Sequence, residues 1–111
     1  MAQKQIIQPR INYTYMDNFI NFSVRLVGQV RFVDPDQQVT VVAALDGDIK
    51  VVDSTCLVPV NNFVEIAGKV NPDRTLSEQI AVNFGTNFDL QTYNDALALW
   101  HANDHLFYGN A

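Results

Sequence analysis

The sequence predicts an all-β fold, a small closed barrel of five strands that carries one C-terminal helix. Three observations predict it. From residue 23 to residue 84, apolar and polar side chains alternate with period 2 in short runs separated by Pro, Gly, Asn and Asp. Gly28 interrupts the first and longest run, where glycine marks a bulge or sharp bend, and a strand that bends can serve two sides of a small barrel. Helical periodicity dominates only in residues 88–103. Short strands with such punctuation favour closure, because a closed barrel exposes no strand edges.

Before the barrel, residues 1–8 read as a loose tail, and order begins at Pro9. Thr14-Tyr15-Met16-Asp17 has the Thr and acid of a capping-box-like start, followed by Phe19 and Ile20. They predict a short helical plug with Met16 and Phe19 turned inward.

The first strand runs from Ser23 to Val33, with Val24, Leu26, Val30 and Phe32 on one face and Arg25, Gln29 and Arg31 on the other. Asp34-Pro35-Asp36-Gln37 is a turn, since proline presets φ and the flanking Asp side chains bond to nearby backbone N–H groups. Val39 to Leu45 forms the second strand, Asp46-Gly47-Asp48 closes a hairpin, and Ile49 to Val52 forms the third. Residues 53–62 lose the alternation, and Pro59 with Asn61-Asn62 indicates a loop across the end of the sheet. Phe63 to Val70 is the fourth strand. After a second turn at residues 71–74, Leu76 to Phe84 is the fifth, with Leu76, Glu78, Ile80, Val82 and Phe84 alternating against Ser77, Gln79, Ala81 and Asn83. Five strands with one long gap fit the Greek-key OB-fold barrel over residues 9–87, with a helix and tail over 88–111. In that fold the outer face of the second and third strands often takes single-stranded nucleic acid.

The helix over residues 88–103 opens at Asp89, a suitable N-cap, with Phe88 and Tyr93 spaced for a hydrophobic staple. At 100° per residue, Leu90, Tyr93, Ala96, Leu97 and Trp100 share a stripe about 120° wide. Leu99 adds apolar surface on a second side, and Leu106, Phe107 and Tyr108 add more in the tail. A helix this short is marginal alone, so its stripe needs a surface to lie on. The barrel and its plug already supply a core, which makes the stripe a candidate partner interface. Burying four large side chains yields roughly 1.5–3 kcal/mol each, against an association cost of about 4–15 kcal/mol. A stable complex therefore needs more than one partner helix, or added barrel contact.

Composition narrows the function. With 111 residues, 48% hydrophobic and 17% charged, the chain makes one folded domain. No apolar run approaches the ~18 residues of a membrane span, and residues 1–12 do not have the pattern of a signal peptide, so a soluble intracellular protein is expected. Cys56 is the only cysteine, and its neighbours supply no base, which makes it a structural thiol. The net charge is −5, and the seven cations are scattered rather than gathered in a basic stripe. Strong autonomous DNA binding is not expected, and Arg25, Arg31 and Lys50 are assigned weak phosphate contacts at most. Stacking on a base would need exposed aromatics beside cations, and the alternation turns Phe32 toward the core. His101 and His105 share a helix face but lack a third ligand, so no metal and no cofactor is assigned. None of the common catalytic motifs occurs, and no enzyme activity is expected.

Several segments together resemble a known family. These are Pro9-Arg10-Ile11-Asn12 ahead of Met16 and Phe19, VRLVGQV over residues 24–30, Leu45-Asp46-Gly47, VEIAGKV over residues 64–70, and Phe88-Asp89-Leu90 followed by Tyr93-Asn94 and Ala96. In order and spacing they resemble the small subunits of eukaryotic replication protein A, the heterotrimeric single-stranded-DNA-binding protein of replication, repair and recombination. The resemblance implies a nuclear protein whose C-terminal helix joins helices of the large and middle subunits in a three-helix bundle. It also implies that most DNA affinity, and the family's zinc, reside in the larger subunits. Two alternatives share the barrel: a small OB-fold component of a telomere-capping complex, and an autonomous single-stranded nucleic-acid-binding module.

Overall fold

The computed structural model describes residues 9–102, and side chains within that span up to Leu99. The tail over residues 1–8 and the segment holding His105, Leu106, Phe107 and Tyr108 lie outside the described residues. Six strands form one sheet: β1 (Arg10–Ile11), β2 (Ser23–Asp34), β3 (Val39–Ala44), β4 (Gly47–Val52), β5 (Phe63–Val70) and β6 (Leu76–Gly85). A 3-10 helix (Tyr13–Phe19) follows β1, and helix α1 (Leu90–Ala102) follows β6. The sheet order is β1-β2-β3-β4-β6-β5, and β5 pairs back onto β2. That last pairing closes the barrel. The five expected strands are β2 to β6, and the additional β1 lies parallel to β2, with Arg10 opposite Arg25 and Ile11 opposite Leu26.

Closure depends on β2 changing partners along its length. Its first half pairs with β5, from Ser23 opposite Lys69 to Gln29 opposite Phe63. From Gln29 onward it pairs with β3, ending with Asp34 opposite Val39. Gly28 sits at the handover, where a Cβ would lie 2.5 Å from Val42 Cγ1 and 2.6 Å from the Ala43 carbonyl oxygen. Only glycine lets the strands approach this closely. The register irregularity lies further along β2, since Val30 faces Val42 while Phe32 faces Val41. Arg31 is the extra residue of a bulge, and it reverses which residues point inward.

Val24, Leu26, Val30, Val42, Ile49, Val51, Val64, Ile66, Val70 and Leu76 fill the barrel, and Ile11 and Met16 plug it. Met16 is fully buried, and Phe19 packs on the same cluster. The plug is capped from outside itself rather than by a Thr14–Asp17 box. Asp46 of the β3–β4 turn accepts the backbone N–H groups of Tyr13 (3.1 Å) and Thr14 (2.9 Å), while Asp17 pairs with Arg74 at 3.3 Å. The loop over residues 53–62 is fastened to β6, where Glu78 accepts from the Ser54 hydroxyl (2.9 Å) and from the Thr55 backbone N–H (3.1 Å) and hydroxyl (2.8 Å). Ser54 also bonds Thr40 at 2.8 Å, and Val58 joins the core. Cys56 is half-buried within this lid, its Sγ beside the Val39 carbonyl, consistent with a structural thiol.

Candidate functional site

Two surfaces have the character the sequence assigned to function: the C-terminal helix, and the outer face of β2, β3 and β4. The helix begins where its sequence specifies. Asp89 accepts the Thr92 backbone N–H at 3.0 Å and the Thr92 hydroxyl at 2.7 Å, satisfying donors that the first turn leaves open. These bonds favour the ionised form, and with the Thr92 backbone N–H foremost they hold the Asp89 carboxyl below its ordinary value. Behind the cap, the Phe88 ring lies 5.1 Å from Phe84, 5.6 Å from Phe63 and 6.0 Å from Tyr93, centre to centre. This aromatic group joins the last strand to the first helical turn. The expected staple between Phe88 and Tyr93 is part of it.

The four stripe residues with described side chains divide between the chain itself and the exterior. Leu97 is only 4% exposed, Leu90 and Tyr93 are half-buried, and Asn94 accepts a hydrogen bond from the Asn12 amide at 2.9 Å. That side of α1 faces its own barrel. Ala96 is exposed, and Leu99 is 68% exposed on the opposite side. A hollow of about 170 Å³ remains between the helix and the barrel, lined by Arg10, Tyr93, Ala96 and Leu97. Trp100 lies on the backbone of α1, but its side chain is outside the described set.

The three cations assigned weak phosphate contacts do not share a groove. Arg25 lies toward β5, where its guanidinium is 3.9 Å from Glu65, and Arg10 approaches the same carboxylate at 3.9 Å. Arg31 and Lys50 are exposed on the other flank. There the structure corrects the sequence reading of Phe32, which is 54% exposed and not in the core. The bulge at Arg31 is the cause, since beyond it Val33 packs on the core and Phe32 faces out. Phe32 stands opposite Val41, and Val41 stands opposite Lys50. An aromatic ring, a half-buried valine and an exposed ammonium thus form one row across three strands.

A second surface was missed for the same reason. Ala67 faces Ile80 while Gly68 faces Glu78, so Gln79 is an extra residue in β6. Past it, Ala81 turns to the core and Ile80, Val82 and Phe84 are 62%, 44% and 36% exposed. Glu78 was the available signal, because a carboxylate between Leu76 and Ile80 does not fit an uninterrupted apolar face. Among the described residues no cluster of three or more His, Cys, Asp or Glu side chains is arranged to hold a metal, and no helix is long and apolar enough to cross a membrane.

Comparison with known proteins agrees with this architecture. A 14 kDa component of replication protein A from Arabidopsis thaliana is 29% identical over 89 residues, which are 80% of this chain and 82% of that protein. Among solved structures, a chain of U. maydis replication protein A bound to single-stranded DNA superposes with a TM-score of 0.78 at 24% identity, covering 90% of this chain and 94% of that one. A telomere capping protein of Saccharomyces pombe superposes with a TM-score of 0.73 at 10% identity, covering 86% and 99%. At these identities the two structures speak for the shared OB fold alone. The family model described as replication factor A protein 3 matches residues 1–107, barrel and helix together, and the chain belongs to that family as a homologue of the small subunit of replication protein A.

Proposed function

We propose that this chain is the structural small subunit of a heterotrimeric replication protein A, and that α1 joins helices of the large and middle subunits in a three-helix bundle. The observation that carries the reading is the family match, which extends through α1 instead of ending with the barrel. The exposure of α1 supports it. One side is docked on the barrel through Leu97 and Asn94, which fixes the direction of the helix, and the opposite side leaves Leu99 68% exposed. A helix held in place loses less freedom on binding than a mobile one, which lowers the cost of association. In this role the subunit works in the nucleus, in replication, repair and recombination. It has no catalytic task, and most DNA affinity comes from the larger subunits.

Direct phosphate contact falls to Arg31 and Lys50 and is weak. Two cations on a chain of net charge −5 give little electrostatic attraction, and Arg25 is engaged by Glu65. Of the stripe residues Leu90, Tyr93, Ala96, Leu97 and Trp100, we assign Ala96 and Trp100, together with the exposed Leu99, to the partner helices, because Leu97 is taken up by the barrel and Leu90 and Tyr93 are half-buried beside it.

Leu99→Asp is the variant that tests the assembly, because its side chain lies outside the barrel core. Co-expressed with the large and middle subunits, it is expected to lose co-elution with them while its own urea midpoint stays near wild type. Full co-elution would refute the assignment of this helix side. Co-elution with telomere-capping partners in place of replication protein A subunits would favour the telomeric alternative. Salt-sensitive oligonucleotide binding by a chain indifferent to both sets would favour the autonomous module.

A further inference from the structure

Strand β6 (Leu76–Gly85) has β5 beside it along its length, but β4 reaches its other edge only at Leu76 and Ser77. Glu78 is then taken up by the lid through Ser54 and Thr55. Over residues 79–85, among the described residues, no strand lies on that second edge and no main-chain hydrogen bond from the lid reaches it. The faces are as open as the edge. Gln79, Ile80, Val82, Asn83 and Phe84 are all exposed. A strand edge without a neighbour offers main-chain donors and acceptors in a row, which is a template for another strand, and proteins usually guard it with lysine, proline or a bulge. Residues 79–88 contain no charge and no proline. The bulges at Gln79 and Phe84 lie toward the ends of the open stretch, leaving Ile80 to Asn83 regular between them.

We propose that β6 pairs antiparallel with β6 of a second copy of this chain, about a two-fold axis at Val82. The open stretch over residues 79–85 has Val82 at its midpoint. Self-pairing about that point sets Val82 opposite Val82 of the second copy and Ile80 opposite Phe84 of the second copy, with the apolar side chains of both on one face. A register shifted toward the start of β6 would drive the second strand into β4. The contact is self-complementary and closed, so it yields a pair and not a fibre.

Charge admits a second copy at this place. Two chains of net charge −5 repel at long range, but the paired stretch sets no charge against a like charge. Glu65, opposite Val82 on β5, is approached by Arg10 and Arg25 at 3.9 Å. Across the pair, the two Glu65 carboxylates stand three strand spacings apart, about 14 Å, beyond the ~10 Å screening length at 0.1 M salt. One strand pair falls below the ~1,200 Å² of stable interfaces, so the association is weak. It strengthens as salt screens the net charge, the opposite sign to nucleic-acid binding, which salt weakens. The proposal goes beyond the assembly role of α1 and does not depend on it. In a trimer, the same edge joins two complexes through their small subunits.

The test is sedimentation velocity over a concentration series. It is run on the full chain carrying Leu99→Asp, so that α1 does not supply the contact, and on the assembled trimer with its wild-type helix. Reversible pairing, stronger at high salt, is expected in both. Val82→Lys is expected to weaken it by about 5- to 25-fold, a lost apolar pair and a like-charge pair each being worth up to about fivefold. Val82→Glu should do the same, while an equimolar mixture of the two variants restores pairing, because their opposite charges then face each other. Urea midpoints near wild type for both would show that the loss is not unfolding. Val82→Cys should be linked into a dimer by a short bismaleimide, whereas wild type, with Cys56 alone, and Phe22→Cys, exposed elsewhere, should not. A chain that stays monomeric up to its solubility limit, pairing indifferent to Val82→Lys, or charge variants that fail to rescue each other would overturn the proposal. Trimers that remain single while the lone chain pairs would overturn it too, since a larger subunit would then cover the edge. A chain that ignores the larger subunits yet pairs through Val82 refutes the subunit assignment alone.

Discussion

Asp89 shows how one side chain decides where an element starts. Its carboxylate bonds the Thr92 N–H and hydroxyl, and in the folded chain its pKa is lowered from the ordinary aspartate value. A group lowered in the folded state contributes stability that is fully present above its unfolded pKa and is lost as pH falls through its folded pKa. Acidification below about pH 4 is therefore expected to loosen the first turn of α1 before the barrel responds. Circular dichroism at the helical band should show a decline over that range that Asp89→Asn lacks, since asparagine caps a helix without titrating. A decline identical in both proteins would assign the acid sensitivity to another group. The cap was legible in the sequence because it is local, involving Asp89 and a residue three positions on. The cap of the plug was not, because Asp46 reaches Tyr13 and Thr14 from more than thirty residues away.

Strands β2 and β6 show where sequence periodicity stops being a guide. Alternation correctly separates the first half of each strand into an inner and an outer face, as Val24, Leu26 and Leu76 show by their full burial. One extra residue, Arg31 in β2 and Gln79 in β6, then inverts the assignment beyond it, in β6 as far as a second irregularity at Phe84. A bulge is a relation between two strands, so a single strand's sequence does not reveal it. Both surfaces missed from the sequence, the Phe32 row and the Ile80-Val82-Phe84 stripe, lie just past such a bulge. The inversion can be measured. Ile80→Lys is expected to change stability by no more than about 0.5 kcal/mol, as an exposed substitution does, whereas Ile66→Ala should cost about 2–5 kcal/mol as a core truncation. Comparable losses in urea unfolding would mean that Ile80 belongs to the core.

At the scale of the whole molecule, barrel and helix are joined but are not energetic equals. The continuous core runs from Ile11 and Met16 through the strands to Leu76 and includes Val58 of the lid, and no described residue of α1 belongs to it. Helix and barrel meet through the Phe88 rings, the Asn12–Asn94 bond and the burial of Leu97. That division suits the assembly role proposed for α1, because the core of the fold lies in the barrel. A chain ending after residue 89 is accordingly expected to keep a cooperative urea transition, since its core and the β2–β5 closure remain intact. Its midpoint should fall modestly, reflecting lost helix contacts rather than a lost core. The same truncation should abolish co-elution with the larger subunits. If the truncated chain fails to fold, α1 is part of the domain's stability and its apolar stripe serves the barrel first. If it folds and still joins the larger subunits, the assembly surface lies on the barrel, and the exposed Ile80-Val82-Phe84 stripe becomes the place to look for it.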